Sequence, residues 1–528
     1  MRRRAGRRRA PLALVLAAGV VVAALLLPLA YLVVRTAGGG MASLDVLAEE
    51  STLRLVWKTS LLVIGVVTAT ILVGVPLAWL VTRTDLPGRR AWGAAAALPL
   101  VIPSYVAALC LLGAFGEKGL LQRILGVDRL PDITGYWGAL LALTLATYPY
   151  VFLLAQAALQ GLDPSLEEAA RGLGLSRARV FARVTLPALR PAVGAGAILV
   201  ALYTLSDFGV VSLMRYDALT RAVFLQYRAL FDRTPAAVLS LVLVALTAVT
   251  LMIEWRTRTG GRQYRSTPGT ARQAALLHLG RWRYAALAWC SLTVGFFLAV
   301  PAAVLGYWLV RGIRAERTLD VPVAEALNSL TASGLAALVA VAAAFPVAVL
   351  ALRHPSRRTL LLERVSYAGN ALPGIVIALS LVFFAARYAS PVYQTLALLV
   401  FAYCVRFFPQ GLSGVESALE RVNPRLEEAA RGLGRGPLQT AAQVTVPLVR
   451  SGVLAGATLV FLSAMKELPA TLLLRPIGFE TLATEIWKFT SVGAYSQAAP
   501  PALALVAVSA PFLYLVSAER RFRSGGSG

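Results

Sequence analysis

Long uncharged stretches leave this chain few ways to fold. A helix crossing the hydrocarbon core of a bilayer needs about 20 consecutive apolar residues. The stretch Leu12 to Val34 supplies 23 residues without a charge. Similar stretches lie near 59–82, 91–115, 136–160, 191–212 and 235–254. After a basic, polar segment they resume near 284–310, 327–352, 366–386, 391–413, 451–474 and 499–518. No water reaches a backbone in hydrocarbon, so each stretch must satisfy its own N–H and C=O groups as a helix. The expected fold class is all-α: a polytopic membrane protein of about 12 transmembrane helices. Composition agrees, with 58% of the 528 residues hydrophobic and 15% charged, where soluble domains carry roughly a quarter charged residues. The Arg-rich start (Arg2, Arg3, Arg4, Arg7, Arg8, Arg9) followed by a greasy run has the order of a signal peptide. The run is too long for one and further spans follow, so it reads as a retained first helix.

Lys and Arg exceed Asp and Glu by 25, and the isoelectric point is near 10.8. The placement of these charges tells what they are for. With the N-terminus inside and the spans alternating, 33 Lys and Arg fall on cytoplasmic segments and 16 on outer ones. That is the bias of the positive-inside rule. Both termini are therefore expected in the cytoplasm, in the inner (cytoplasmic) membrane of the cell. The basic loops face the anionic leaflet. Outside them there is no basic helix or aromatic-interleaved basic stripe, so no nucleic-acid partner is expected. Cys110, Cys290 and Cys404 are isolated in apolar stretches and read as small buried hydrophobes. Two histidines, His278 and His354, are too few for a catalytic or metal-binding cluster.

The chain also repeats itself. Asp163-Pro-Ser-Leu-Glu-Glu-Ala-Ala-Arg-Gly-Leu-Gly174 returns without a gap as Asn423-Pro-Arg-Leu-Glu-Glu-Ala-Ala-Arg-Gly-Leu-Gly434, 260 residues later. The same offset pairs Val184-Thr185-Leu186-Pro187 with Val444-Thr445-Val446-Pro447, and Asp207 with Glu467. Two homologous halves follow: residues 1–260, a basic cytoplasmic linker at 261–283, residues 284–520, and a flexible tail at 521–528. Six spans per half is an even number, so the repeat is parallel, about an axis along the membrane normal.

Each repeated loop has a physical reading. Asp163 or Asn423 caps a short helix with Pro164 or Pro424 at its first position. Glu167, Glu168, Glu427 and Glu428 sit in the first turns, where the helix dipole favours anions. Ala169, Ala170, Ala429 and Ala430 continue it with small side chains. Gly172, Gly174, Gly432 and Gly434 then break it, and a second segment is expected to end at Pro187 or Pro447. The result is a pair of projecting cytoplasmic knobs.

The order Glu168-Ala169-Ala170, Gly174, Val184, Leu186-Pro187 resembles the EAA motif of permease subunits in type I ABC importers. Glu428-Ala429-Ala430, Gly434, Val444 and Pro447 repeat it, with Val446 where leucine is usual. In that family the loop is a coupling helix that docks on the ATPase. The resemblance thus assigns docking to Glu167, Glu168, Ala169, Ala170, Gly172, Gly174 and Pro187, and to Glu427, Glu428, Ala429, Ala430, Gly432, Gly434 and Pro447. The whole chain further resembles the fused permeases of ferric-iron (Fe3+) importers. Leu205-Ser-Asp-Phe-Gly209 and Ala464-Met-Lys-Glu-Leu-Pro-Ala-Thr-Leu-Leu-Leu-Arg-Pro476 carry that likeness. Thiamine and phosphonate permeases share the fused layout. The resemblance implies an ABC ATPase dimer and a substrate-binding protein as partners.

This chain has no Gly-x-x-x-x-Gly-Lys-[Ser/Thr] phosphate loop. ATP and magnesium are therefore expected on the ATPase subunit, with no cofactor on the permease. Four ionisable residues fall inside spans, where each costs about 2.5–3.5 kcal/mol on insertion scales: Asp207, Arg406, Lys466 and Glu467. Hard trivalent cations prefer carboxylate oxygen, so Asp207 and Glu467 are candidates to line the path and make transient contact with a ferric ion. The other reading is that they cap the outer end of a broken helix, as Gly209 and Pro469 two residues on suggest, or form local ion pairs. Arg406 has no charged counterpart, its equivalent being Ala146, and either pairs with an acid in the bundle or attracts an anion. Lys466 adjoins Glu467, but neighbours on a helix point about 100° apart. Rival readings are the same machine carrying thiamine, a phosphonate, sulfate or a polyamine, an ion-coupled secondary transporter, and a membrane enzyme. The last is disfavoured by the lack of a paired nucleophile and base.

Overall fold

The computed structural model describes residues 10–116, 119–127, 131–228, 233–258, 276–315 and 321–525. Arg2 to Arg9, most of the expected linker and the last three residues lie outside the described residues. The first half contains α1 (Leu12–Ala37), α2 (Glu50–Arg83), α3 (Ser104–Phe115), α4 (Tyr136–Gly161), α5 (Pro164–Gly172), α6 (Leu186–Ser206), α7 (Gly209–Leu213) and α8 (Thr234–Arg258). The second contains α9 (Trp282–Arg314), α10 (Val323–Arg353), α11 (Gly374–Tyr388), α12 (Leu396–Leu419), α13 (Pro424–Gly432), α14 (Val446–Met465), α15 (Pro469–Leu474) and α16 (Tyr495–Gly525). Among the described residues there is no strand, and the one isolated bridge joins Thr84 to Leu277.

Among the described residues ten helical segments are long and apolar enough to cross a membrane, and a bent pair makes an eleventh. The expected straight span near 366–386 is that pair: Arg357–Gly369 and α11 meet at 98°. The span expected near 91–115 is likewise broken, into Arg89–Ala97 and α3. The cause is duplicated. Pro103 and Pro373 open α3 and α11, and a residue before proline is pushed out of helical geometry. Ile102 and Leu372 are accordingly extended, with ψ of 117° and 118°. The twelfth expected span, near 499–518, falls in α16, which is neither one of the ten nor part of the bent pair.

Each half packs around its own central helices, α2 with α4 and α6 in the first, α10 with α12 and α14 in the second. Small residues set the closest approaches. A side chain at Gly74 would meet the α4 backbone at Tyr148 and Phe152, and Gly414 of α12 lies against Gly456 of α14.

The first helix of each half reaches across to the other half. Helix α1 lies on α10 and α11 as well as on its own α8, and α9 lies on α3 as well as on its own α16. Side-chain bonds mark both crossings. Ser380 on α11 donates to the Pro28 carbonyl of α1, and Tyr31 donates to Phe383 O at 3.4 Å. Symmetrically, Cys110 on α3 donates to Pro301 O of α9 at 3.9 Å, and Trp308 Nε1 donates to Gly113 O at 3.1 Å.

Candidate functional site

The repeated loops fold almost identically. Asp163 Oδ1 accepts the Ser165 amide at 3.0 Å and Asn423 Oδ1 accepts the Arg425 amide at 3.1 Å, each capping its helix. That amide bond holds the Asp163 carboxyl below the usual carboxylate range. Gly174 and Gly434 take φ of 80° and 83°, a conformation that strains any side chain. Gly172 and Gly432, expected to break the helices, instead form their last turns.

A second correction concerns Pro187 and Pro447. The segments following the loops do not end there. They pass through a π-helical turn, Phe181–Thr185 or Ala441–Thr445, straight into α6 and α14. Proline donates no N–H and would leave a carbonyl of the preceding turn unpaired. A wider turn takes up that mismatch, with Leu186 N bonding back to Phe181 O.

The adjacent glutamates part ways. Glu167 turns inward: its Oε1 accepts from Arg83 at 2.6 Å and from the Thr185 hydroxyl at 2.8 Å. Glu427 does the same with Arg353 at 3.1 Å and Thr445 at 3.3 Å. Each trio ties the loop helix to the end of a long span (α2 or α10) and to the π-turn. Glu168, Glu428, Ala169 and Ala429 face solvent, while Ala170 and Ala430 are buried. Leu173 and Leu433 stand almost fully exposed at the tips, at 83% and 84%. Sequence reasoning missed Arg83 and Arg353, which look like topology charges and lie far along the chain from their partners. It also missed the two leucines, although the repeat itself duplicates them. A cavity of about 540 Å³ flanks the Arg83–Glu167 pair, walled partly by Trp79, Phe181 and Trp282.

The four charged residues expected within spans gather where the halves meet, but only Arg406 lies inside a spanning helix: Asp207 follows the end of α6, and Lys466 and Glu467 follow the end of α14. Helix α6 ends at Ser206, and Asp207 caps the short α7: Oδ1 accepts Val210 N at 2.8 Å and Oδ2 accepts the Ser104 hydroxyl. Glu467 stands equivalently before α15. Its Oε1 accepts Ala470 N at 3.3 Å and Arg406 Nη1 at 2.8 Å. Arg406 Nη2 donates to Ser206 Oγ of the other half at 2.9 Å. Lys466, past the end of α14 and so not on a helix with Glu467 as expected, donates to Leu100 O of the first half at 3.1 Å. Asp207 and Glu467 are both buried. Tyr403 bonds Thr471 at 2.6 Å beside them, whereas Tyr148 stacks on Phe297 and Tyr150 packs near Tyr203. Cys110, Cys290 and Cys404 are free and buried. Among the described residues no three His, Cys, Asp or Glu gather as a metal-holding group.

An all-α bundle of two like halves, bearing paired projecting knobs and a polar cluster on the seam, is the architecture of a membrane transport component. The family described as the binding-protein-dependent transport system inner membrane component matches residues 74–255 and 336–521, and the chain belongs to it. It is a permease of the type I ABC importer class, with two permease units fused in one chain. Over 519 residues it is 33% identical to the Fe(3+)-transport system permease protein FbpB 2 of Haemophilus influenzae, covering 96% of this chain and 98% of that one. It is 31% identical over 214 residues to the molybdenum transport system permease protein ModB of Escherichia coli, covering 38% of this chain and 93% of that one. It is 30% identical over 250 residues to the sulfate transport system permease protein CysW of the same organism, covering 45% and 86%.

Proposed function

We propose that this permease carries ferric iron across the inner membrane, with both termini cytoplasmic. A binding protein delivers the cargo, and a separate ABC ATPase dimer, holding ATP and magnesium, drives alternating access. The observation that carries the cargo reading is the end-to-end likeness to an Fe(3+) permease; the molybdenum and sulfate permeases match only about one half. The duplicated carboxylates at the seam, Asp207 and Glu467, supply hard oxygen ligands of the kind ferric iron favours. In this reading they make passing contact with the ion, with Arg406 and Lys466 beside them on the path.

The knobs are the handles. Glu168, Glu428, Leu173 and Leu433 meet the ATPase, and the Arg83–Glu167 and Arg353–Glu427 pairs pass its closure to α2 and α10. Rocking the halves then opens the seam to one side or the other. An oxyanion cargo is the second reading, favoured by Arg406 and Lys466 and by the sulfate and molybdenum relatives. Uptake of labelled ferric ion by cells, measured against excess sulfate, molybdate, thiamine and a polyamine, separates the two. Iron uptake insensitive to all four supports the proposal; labelled sulfate or molybdate uptake without iron uptake contradicts it.

A further inference from the structure

The two halves solve one structural problem differently. In each, an acidic residue caps a broken helix opposite the first residue of the helix that follows a proline. In the first half that residue is Ser104, and its hydroxyl satisfies Asp207. In the second half it is Gly374, and the space a side chain would fill is taken by the Arg406 guanidinium and the Glu467 carboxylate. Arg406 replaces what is Ala146 in the first half. The second half thus exchanges a serine for a glycine and an alanine for an arginine, and the arginine then serves both halves: Glu467 on its own side, Ser206 on the other.

We propose that Arg406 is a tethered counter-ion that bolts the halves together across the path, so that Glu467 is freed only when they part. The bolt rests on the path running along this seam, but on no particular cargo. A guanidinium can form this bridge because it presents several donors in a rigid fork. It neutralises a carboxylate that would otherwise stand buried and uncompensated. Its second nitrogen is anchored on the residue preceding Asp207, which makes the closure depend on the relative position of the halves. Lys466 reinforces the seam in the same direction, second half to first, by its bond to Leu100 O.

The test uses the full chain in liposomes of phosphatidylethanolamine and phosphatidylglycerol, with potassium as the probe ion and flux read by a potential-sensitive dye. Losing a charge-assisted bond should raise the open population, and hence flux, by about tenfold or more in Arg406→Gln. Gly374→Ala, which displaces the guanidinium without removing it, should leak likewise. Arg406→Lys should stay tighter than Arg406→Gln, and adding Glu467→Gln to Arg406→Gln should reduce the leak. If Arg406→Gln fails to assemble, Ser206→Ala removes only the cross-half bond and must still leak above wild type. Wild-type tightness in the assembled Arg406→Gln and Gly374→Ala proteins overturns the proposal. So does a leak in Arg406→Gln that Glu467→Gln leaves unchanged, which would mean general loosening. Potassium flux is indifferent to cargo, so a failure of iron uptake leaves this result standing, and the reverse.

Discussion

Glu167 and Glu168 show how much one residue step decides. Neighbours on a helix diverge by about 100°, so one glutamate faces Arg83 and the other faces solvent. Charge reversal at the outward positions, Glu168→Lys with Glu428→Lys, should abolish co-purification with the ATPase while leaving the melting temperature of the permease unchanged. A fall in melting temperature equal to that of Arg83→Gln would contradict the outward role. The caps differ in another way. Asp163 titrates and Asn423 does not. The Asp163 carboxyl is depressed by its bond to Ser165 N, so its contribution is complete above the ordinary carboxylate range and is lost as pH falls through the lowered value. Protection of residues 164–172 against hydrogen exchange, relative to the intrinsic rate at each pH, should therefore fall on acidification while that of residues 424–432 changes less. An equal loss of protection in both loops would rule out the cap as the cause.

At the level of elements, the loop helices are short and depend on their tethers. An isolated helix of nine residues is marginal in water, and α5 and α13 are each nine residues long. The Arg83–Glu167–Thr185 and Arg353–Glu427–Thr445 contacts supply what length does not. Removing the cation should cost about 1.5–3 kcal/mol locally, read as roughly tenfold to hundredfold faster exchange in the loop. Arg83→Gln should affect residues 164–172 and Arg353→Gln residues 424–432, with α2 and α10 protected as before; spreading of the effect into the spans would contradict a tether.

This is also the level at which the sequence was least legible. Spans, caps and the repeat announce themselves because they are local: uncharged runs, a capping residue before proline, twelve aligned residues. The breaks at Pro103 and Pro373 were hidden because the apolar composition continues across them. The π-turns before Pro187 and Pro447 were hidden because proline reads as an end when its missing N–H can instead be absorbed by a wider turn. The arginine partners of Glu167, Glu427 and Glu467 were hidden because they lie 61 to 84 residues away with no periodic signal.

Across the whole molecule, the exchange of first helices makes the halves interdependent. Helix α1 covers α10 and α11, so its loss exposes the opposite half. A chain lacking residues 10–37 should show exchange rising first in 323–353 and 374–388, ahead of 50–83 and 136–161. Loosening confined to the first half would contradict the crossed packing.

In the proposed function, nucleotide energy enters through the two repeated loops. Ferric uptake by proteoliposomes holding the permease, its ATPase, its binding protein and ATP measures it directly. Uptake should require the ATPase and ATP and should disappear in Glu168→Lys/Glu428→Lys. Undiminished uptake with the ATPase left out, or in that double variant, would contradict it.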